Sequence, residues 1–195
     1  MKNYNSPENF KTSQEKYVRY EWEEIYKYRP IGFIGDCPRD VLQSKLQPVE
    51  KLVVYIDING VSCSVSAKLS DIVFSIDQSK AILELEEDWN GDNAERILPE
   101  TWRKAAVFLM NYSKYILENF STIIKSPEIN PCMNGSIDLV WRTKAARLLI
   151  NVKPAGNPII ASYYGDLYNN RQAIKSTIED ETVIEHLAFW MKNLA

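Results

Sequence analysis

The sequence predicts an α+β fold: an antiparallel sheet with helices packed on one of its faces. Three observations carry this. Two alternating runs flank Asn59-Gly60, more alternating runs fill residues 137–178, and two amphipathic helical stripes lie near 99–121 and 181–194.

From Glu15 to Tyr28, Val18, Trp22, Ile25 and Tyr26 recur at helical spacing, and Pro30 closes the segment. Residues 31–38 hold two glycines, a cysteine and a proline and read as a loop. Residues 39–46 could form a short helix. Leu52, Val54, Ile56 and Ile58 then alternate, and Val61, Cys63, Val65, Ala67 and Leu69 alternate after the Asn-Gly turn. A two-residue Asn-Gly turn places Ile58 opposite Val61, Ile56 opposite Cys63 and Val54 opposite Val65. The hairpin 52–69 therefore has one apolar face, with Cys63 expected inside it. Residues 70–78 read as a strand or a turn, and 79–87 as a short helix.

Asp88-Trp89-Asn90-Gly91 breaks the pattern with turn residues. Pro99 suits a helix's first turn, and Trp102, Ala105, Ala106, Leu109, Tyr112, Ile116 and Phe120 stripe the helix that follows. Ile137, Leu139 and Trp141 alternate, then Leu148, Ile150 and Val152, then Ile159, Ala161 and Tyr163, then Ile174, Ser176 and Ile178. Their short connections imply antiparallel pairing. Asp180 is placed to cap a last helix striped by Ile184, Leu187, Ala188, Met191 and Leu194. The 195 residues suit a single domain, 1–195, with residues 1–50 as a possible N-terminal extension.

Composition narrows the function classes. Hydrophobic residues make up 45% and charged residues 25%, with a net charge of -3. The acidity removes the usual electrostatic argument for nucleic-acid binding, which needs clustered cations. The densest basic cluster is Arg142, Lys144 and Arg147, with Lys153 nearby. The longest apolar run, Ala105 to Met110, is too short to span a bilayer, so no membrane partner is expected. The polar N-terminus shows no signal peptide. Three widely spaced cysteines, Cys37, Cys63 and Cys132, form no disulfide framework and no CxxC pair, and a reducing cytoplasm is expected. Cys37 and Cys132 lie beside prolines in expected loops.

Residues 83–165 contain Leu83 and Leu85, then Trp89-Asn90-Gly91 and Ala94, then Pro99-Glu100. Asn134-Gly135 follows, with Ile137, Leu139 and Trp141, then Leu148, Ile150 and Val152, and Tyr163-Tyr164-Gly165. This order resembles a family of small, uncharacterised bacterial proteins with a Trp-Asp/Asn-Gly-x-x-Ala motif followed by a helix and alternating strands. Leu98 stands where the family has a capping serine. The resemblance implies a bacterial source and this order of elements, and no reaction.

The sequence assembles no catalytic set. Trp89, Asn90 and Gly91 could contact a ligand, although a core indole over a turn is the simpler expectation. Asp88, Asn90 and Asp92 begin like a calcium loop, but Asn93 and Pro99 occupy the positions that need glycine and glutamate. His186 is the only histidine, so a zinc site would need Cys37, Cys63, Cys132 and His186 to converge. Asp138 with Asn151 and Lys153 has the spacing of a metal nuclease, but neutral Asn151 stands where the second carboxylate belongs. No glycine-rich phosphate loop is present. No cofactor and no metal is therefore expected.

The aromatics offer contact surface instead. One of Tyr163 and Tyr164 must point away from the core, and Tyr17, Tyr20, Trp22, Tyr26 and Tyr28 lie on several faces of the first helix. The expectation is a non-enzymatic cytoplasmic protein acting by contact with another protein or by self-association. An immunity, antitoxin or defence accessory role would suit it. The expected contact residues are Trp89, Asn90, Gly91, Tyr163, Tyr164, Arg142, Lys144 and Arg147. The rivals are an enzyme with a hydrolase-like or degenerate nuclease site, and a nucleic-acid-binding protein.

Overall fold

A computed structural model describes residues 53–58, 60–169 and 172–195. The helices expected at 15–28 and 39–46, their aromatics, Cys37 and the boundary near residue 50 lie outside these residues.

Strands β1 (Val53–Ile58) and β2 (Val61–Ser66) pair antiparallel, with Ile58 opposite Val61, Ile56 opposite Cys63 and Val54 opposite Val65. This is the register expected from the turn. Gly60 has a φ of +81°, a conformation glycine adopts without steric cost. Its N–H donates to Asp57 Oδ1 at 3.0 Å.

Two expectations need correction here. Cys63 is exposed, not in the core. The helices pack against β1, and the outer strand of the hairpin buries Val65 but leaves Cys63 uncovered. Residues 70–78 are neither strand nor turn. They form helix α1 (Ser70–Gln78), entered through a 3-10 turn at Ala67–Leu69. Leu69, Ile72, Val73 and Ile76 are buried along one helical side. The short helix expected at 79–87 is a 3-10 segment, Ser79–Glu84.

Helix α2 (Pro99–Phe120) begins with proline at its first turn and without a side-chain cap from Leu98. Its buried stripe is the one the sequence predicts, except that Phe120 is only half-buried. Ser79 fixes α2 from outside: its hydroxyl donates to the Ile76 carbonyl at 2.7 Å and accepts from Trp102 Nε1 at 2.9 Å. Ser121, with a φ of +52°, ends the helix.

The main sheet has five antiparallel strands in sequential order: β3 (Glu128–Pro131), β4 (Ile137–Arg142), β5 (Ala146–Val152), β6 (Ala161–Leu167) and β7 (Gln172–Ile178). Alternation predicts the last four. β3 is an addition: four residues with Pro131 at one end carry no pattern of their own, and pairing with β4 makes them a strand.

The inner face carries Ile137, Leu139, Trp141, Leu148, Ile150, Val152, Ala161 and Tyr163, all buried. Against it lie α2 and helix α3 (Glu185–Met191), which continues as a 3-10 turn at Lys192–Leu194. Trp141 Nε1 donates to the Lys125 carbonyl at 2.8 Å, and the Lys125 N–H donates to the Leu194 carbonyl at 3.0 Å. These bonds tie the C-terminus to the sheet. Asp180 does not cap α3. Its carboxylate accepts from the Thr182 N–H and hydroxyl, closing a turn four residues earlier. α3 starts at Ile184 without a side-chain cap, and the Ile184 N–H donates to Tyr112 Oη of α2 at 3.0 Å.

Candidate functional site

The second face of the five-stranded sheet is covered by no described helix. Register arranges its side chains in three rows running across the strands. The middle row is Glu128, Val140, Leu149, Tyr164 and Lys175. Beside it run Arg142, Arg147, Asp166 and Ala173 on one side, and Asn130, Asp138, Asn151, Ser162 and Thr177 on the other. Leu149 is 38% and Tyr164 40% exposed, unusual for large apolar groups on adjacent central strands. A shallow depression of about 410 Å³ lies over β5, β6 and β7, lined among others by Leu149, Tyr164 and Lys175.

The structure thus divides the two tyrosines. Tyr163 faces inward, is buried, and its hydroxyl lies 3.1 Å from His186 Nε2. Tyr164 faces outward and donates its hydroxyl to Asp166 Oδ1 at 2.8 Å.

The basic cluster is largely neutralised in place. Arg142 pairs with Glu128 at 2.9 Å and Arg147 with Asp166 at 2.7 Å. The Arg147 guanidinium also lies 5.6 Å from the Tyr164 ring centre. The Tyr164 hydroxyl and Arg147 together hold the Asp166 carboxyl below its ordinary range. Lys144 is exposed in the β4–β5 turn.

The nuclease-like trio does come together. Asp138 and Asn151 are direct partners in the β4–β5 ladder. Asn151 Nδ2 donates to Asp138 Oδ1 at 2.7 Å and to Ser136 Oγ at 2.8 Å, while Lys153 Nζ donates to Asn151 Oδ1 at 2.6 Å. The Ser136 hydroxyl in turn donates to Asn134 Oδ1 at 2.7 Å. Both protons of the Asn151 amide and its oxygen are engaged, so Asn151 is fully bonded within the group. Cys132 borders it, half-buried, and burial pushes its thiol up, away from the reactive thiolate. Among the described residues, no three Asp, Glu, His or Cys side chains gather as metal ligands.

Trp89, Asn90 and Gly91 form part of a self-closed loop. The Asp88 N–H donates to the Ala94 carbonyl at 2.8 Å, Asp88 Oδ1 accepts from the Asn93 N–H at 2.7 Å, and Asn90 Oδ1 accepts from the Asp92 N–H at 2.9 Å. Gly91 has a φ of +77°. Trp89 is half-buried rather than a core residue, because its Nε1 reaches back to the Glu95 carbonyl at 3.2 Å along the loop surface. The loop also docks on the 132–136 turn: the Glu95 N–H donates to the Met133 carbonyl at 2.7 Å, and Glu95 bridges Asn134. The oxygen side chains of Asp88 and Asn90 are thus occupied by their own backbone.

Sequence reasoning missed Val140, Leu149, Glu128 and Lys175 as surface residues. Each sits between inward-facing positions, and only the completed register sets them side by side. No protein-family model, curated protein or solved structure matches the chain.

Proposed function

We propose that the protein is a non-enzymatic interaction module whose contact surface is the outer face of the five-stranded sheet. The observation that carries this is the uninterrupted row Val140, Leu149 and Tyr164 on three adjacent central strands, with Val140 half-buried and Leu149 and Tyr164 exposed. A row of apolar side chains flanked by paired charges has the make-up of an interface core with a polar rim.

The rival readings have less support. Asn151, a neutral amide, stands where a second carboxylate would hold a metal, and its amide is already bonded to Asp138, Ser136 and Lys153. Arg142 and Arg147 are held by carboxylates, which lowers the field available to phosphates. Two free cysteines, Cys63 and Cys132, support a cytoplasmic location, and the resemblance of residues 83–165 supports a bacterial source. No helix among the described residues is long and apolar enough to cross a membrane.

The test is Leu149→Asp, checked first by its melting curve for retained folding. Association in the native host, with another protein or with itself, is then compared with the unsubstituted chain. Loss of association supports the reading. A folded variant that keeps every association overturns it.

A further inference from the structure

The chemistry of the outer face names its occupant. We propose that it binds a second copy of this chain, the two sheets stacked face to face about a two-fold axis that lies between them, parallel to β5 and over Leu149. This rests on the contact-face reading above and adds the partner to it.

The middle row is ordered negative, apolar, apolar, apolar, positive: Glu128, Val140, Leu149, Tyr164, Lys175. Leu149 is its centre. A two-fold axis along β5 reverses the row in the second copy. Glu128 then faces the second copy's Lys175, Val140 faces Tyr164, and Leu149 faces Leu149. The same operation sets Arg142 opposite Asp166 in one flanking row. In the other it sets Asp138 opposite Ser162 and Asn130 opposite Thr177, each a donor with an acceptor. Arg147 meets its own copy, but each Arg147 already carries Asp166 as counter-charge. A two-fold interface requires such self-complementarity, and two sheets stacked this way keep their strands nearly aligned, as packed sheets do.

Two alternatives fail on charge. An axis running along the row instead of along β5 would oppose Glu128 to Glu128 and Lys175 to Lys175. Edge pairing of β7 with a second β7 is centred on Lys175, the middle of Gln172–Ile178, and sets two ammonium groups side by side. Among the described residues no carboxylate lies within salt-bridge distance of Lys175. Glu128 of the second copy supplies one.

Five strands about 4.8 Å apart and three rows about 6.8 Å apart give a footprint of roughly 500 Å² per protomer. That is below the ~800 Å² of a standard stable interface, so the dimer is weak and concentration-dependent.

Sedimentation velocity on the full chain, from micromolar to near-millimolar concentration, tests this. The unsubstituted chain is expected to shift from monomer to dimer. Lys175→Glu and Glu128→Lys should each weaken the dimer by about tenfold, the double variant should restore most of that loss, and Leu149→Asp should abolish the dimer. A chain that stays monomeric throughout overturns the proposal, as does a dimer indifferent to Leu149→Asp or a charge swap without rescue. The contact-face reading fails separately: a monomeric chain that loses a different partner on Leu149→Asp refutes the second copy and leaves the face intact as a binding surface.

Discussion

Asn151 lies directly across the β4–β5 ladder from Asp138, and its amide joins that carboxylate to the Lys153 ammonium. The amide dipole is aligned with both charges: its carbonyl faces the cation and its N–H the anion. A carboxylate at position 151 would face Asp138 with like charge at about 3 Å. Asn151→Asp is therefore expected to raise the apparent pKa of the resulting pair. A carboxyl whose folded pKa lies above its unfolded value contributes stability at low pH, and that stability is lost as pH rises through the folded pKa. The variant should be close to the unsubstituted chain in stability at acid pH and weaker by about 1 kcal/mol at neutral pH. Millimolar Mn²⁺ should recover part of the deficit in the variant alone. Urea melts at two pH values, with and without the ion, check all three points.

Gly165 is required by its neighbours rather than by its backbone. A Cβ there would stand 2.7 Å from the Trp190 ring and 3.0 Å from Leu148 Cδ1. Trp190 and Leu148 are both buried in the layer between α3 and the sheet, where neither can step aside freely. Gly165→Ala is expected to destabilise the fold by about 1–3 kcal/mol through overpacking. Trp190→Phe should recover part of that loss in the double variant. Equilibrium denaturation of the two single variants and the double variant measures the coupling.

Much of this arrangement was legible in the sequence, and the gaps have physical causes. The β1–β2 hairpin is readable because strict alternation and an Asn-Gly turn agree on one register. Helix α1 is not, because Ile72, Val73 and Ile76 are β-branched and its nine residues are too few for a clear helical stripe. Cys63 shares a face with Ile56, yet which part of a face is covered depends on helices distant in sequence. For the site, residues 143–145 between β4 and β5 fix Asp138 against Asn151, so that pair is nearly visible in the sequence. The five-membered row is not. It needs the registers of four strand pairs, including β3, which has no pattern of its own.

Cysteine reactivity should separate by environment. Cys63 is exposed on β2, whereas Cys132 is half-buried beside the Asn151 network and its thiol is pushed up by that burial. Alkylation needs the thiolate and access to it. Iodoacetamide at neutral pH is expected to label Cys63 well before Cys132, as read by peptide mass spectrometry over time. Faster labelling at Cys132 would mean that the 132–136 turn opens away from the Glu95 loop.

The Tyr164 hydroxyl lowers the Asp166 carboxyl through the largest single contribution, and Arg147 lowers it through both a hydrogen bond and its charge. A depressed carboxyl adds stability above its unfolded pKa, and that stability is lost as pH falls through the folded value. Tyr164→Phe removes one hydrogen bond to the carboxylate and keeps the ring in the apolar row. The Asp166 pKa should move back up toward the ordinary range while the Arg147 pair persists, and an NMR titration of the side-chain carboxyl carbon would follow it. Arg147→Met removes both a hydrogen bond and a positive charge from the carboxylate and should also raise it. If Tyr164→Phe left the Asp166 pKa unmoved, the hydroxyl would play no part in holding the carboxylate, and Tyr164 would sit on this face for its ring alone.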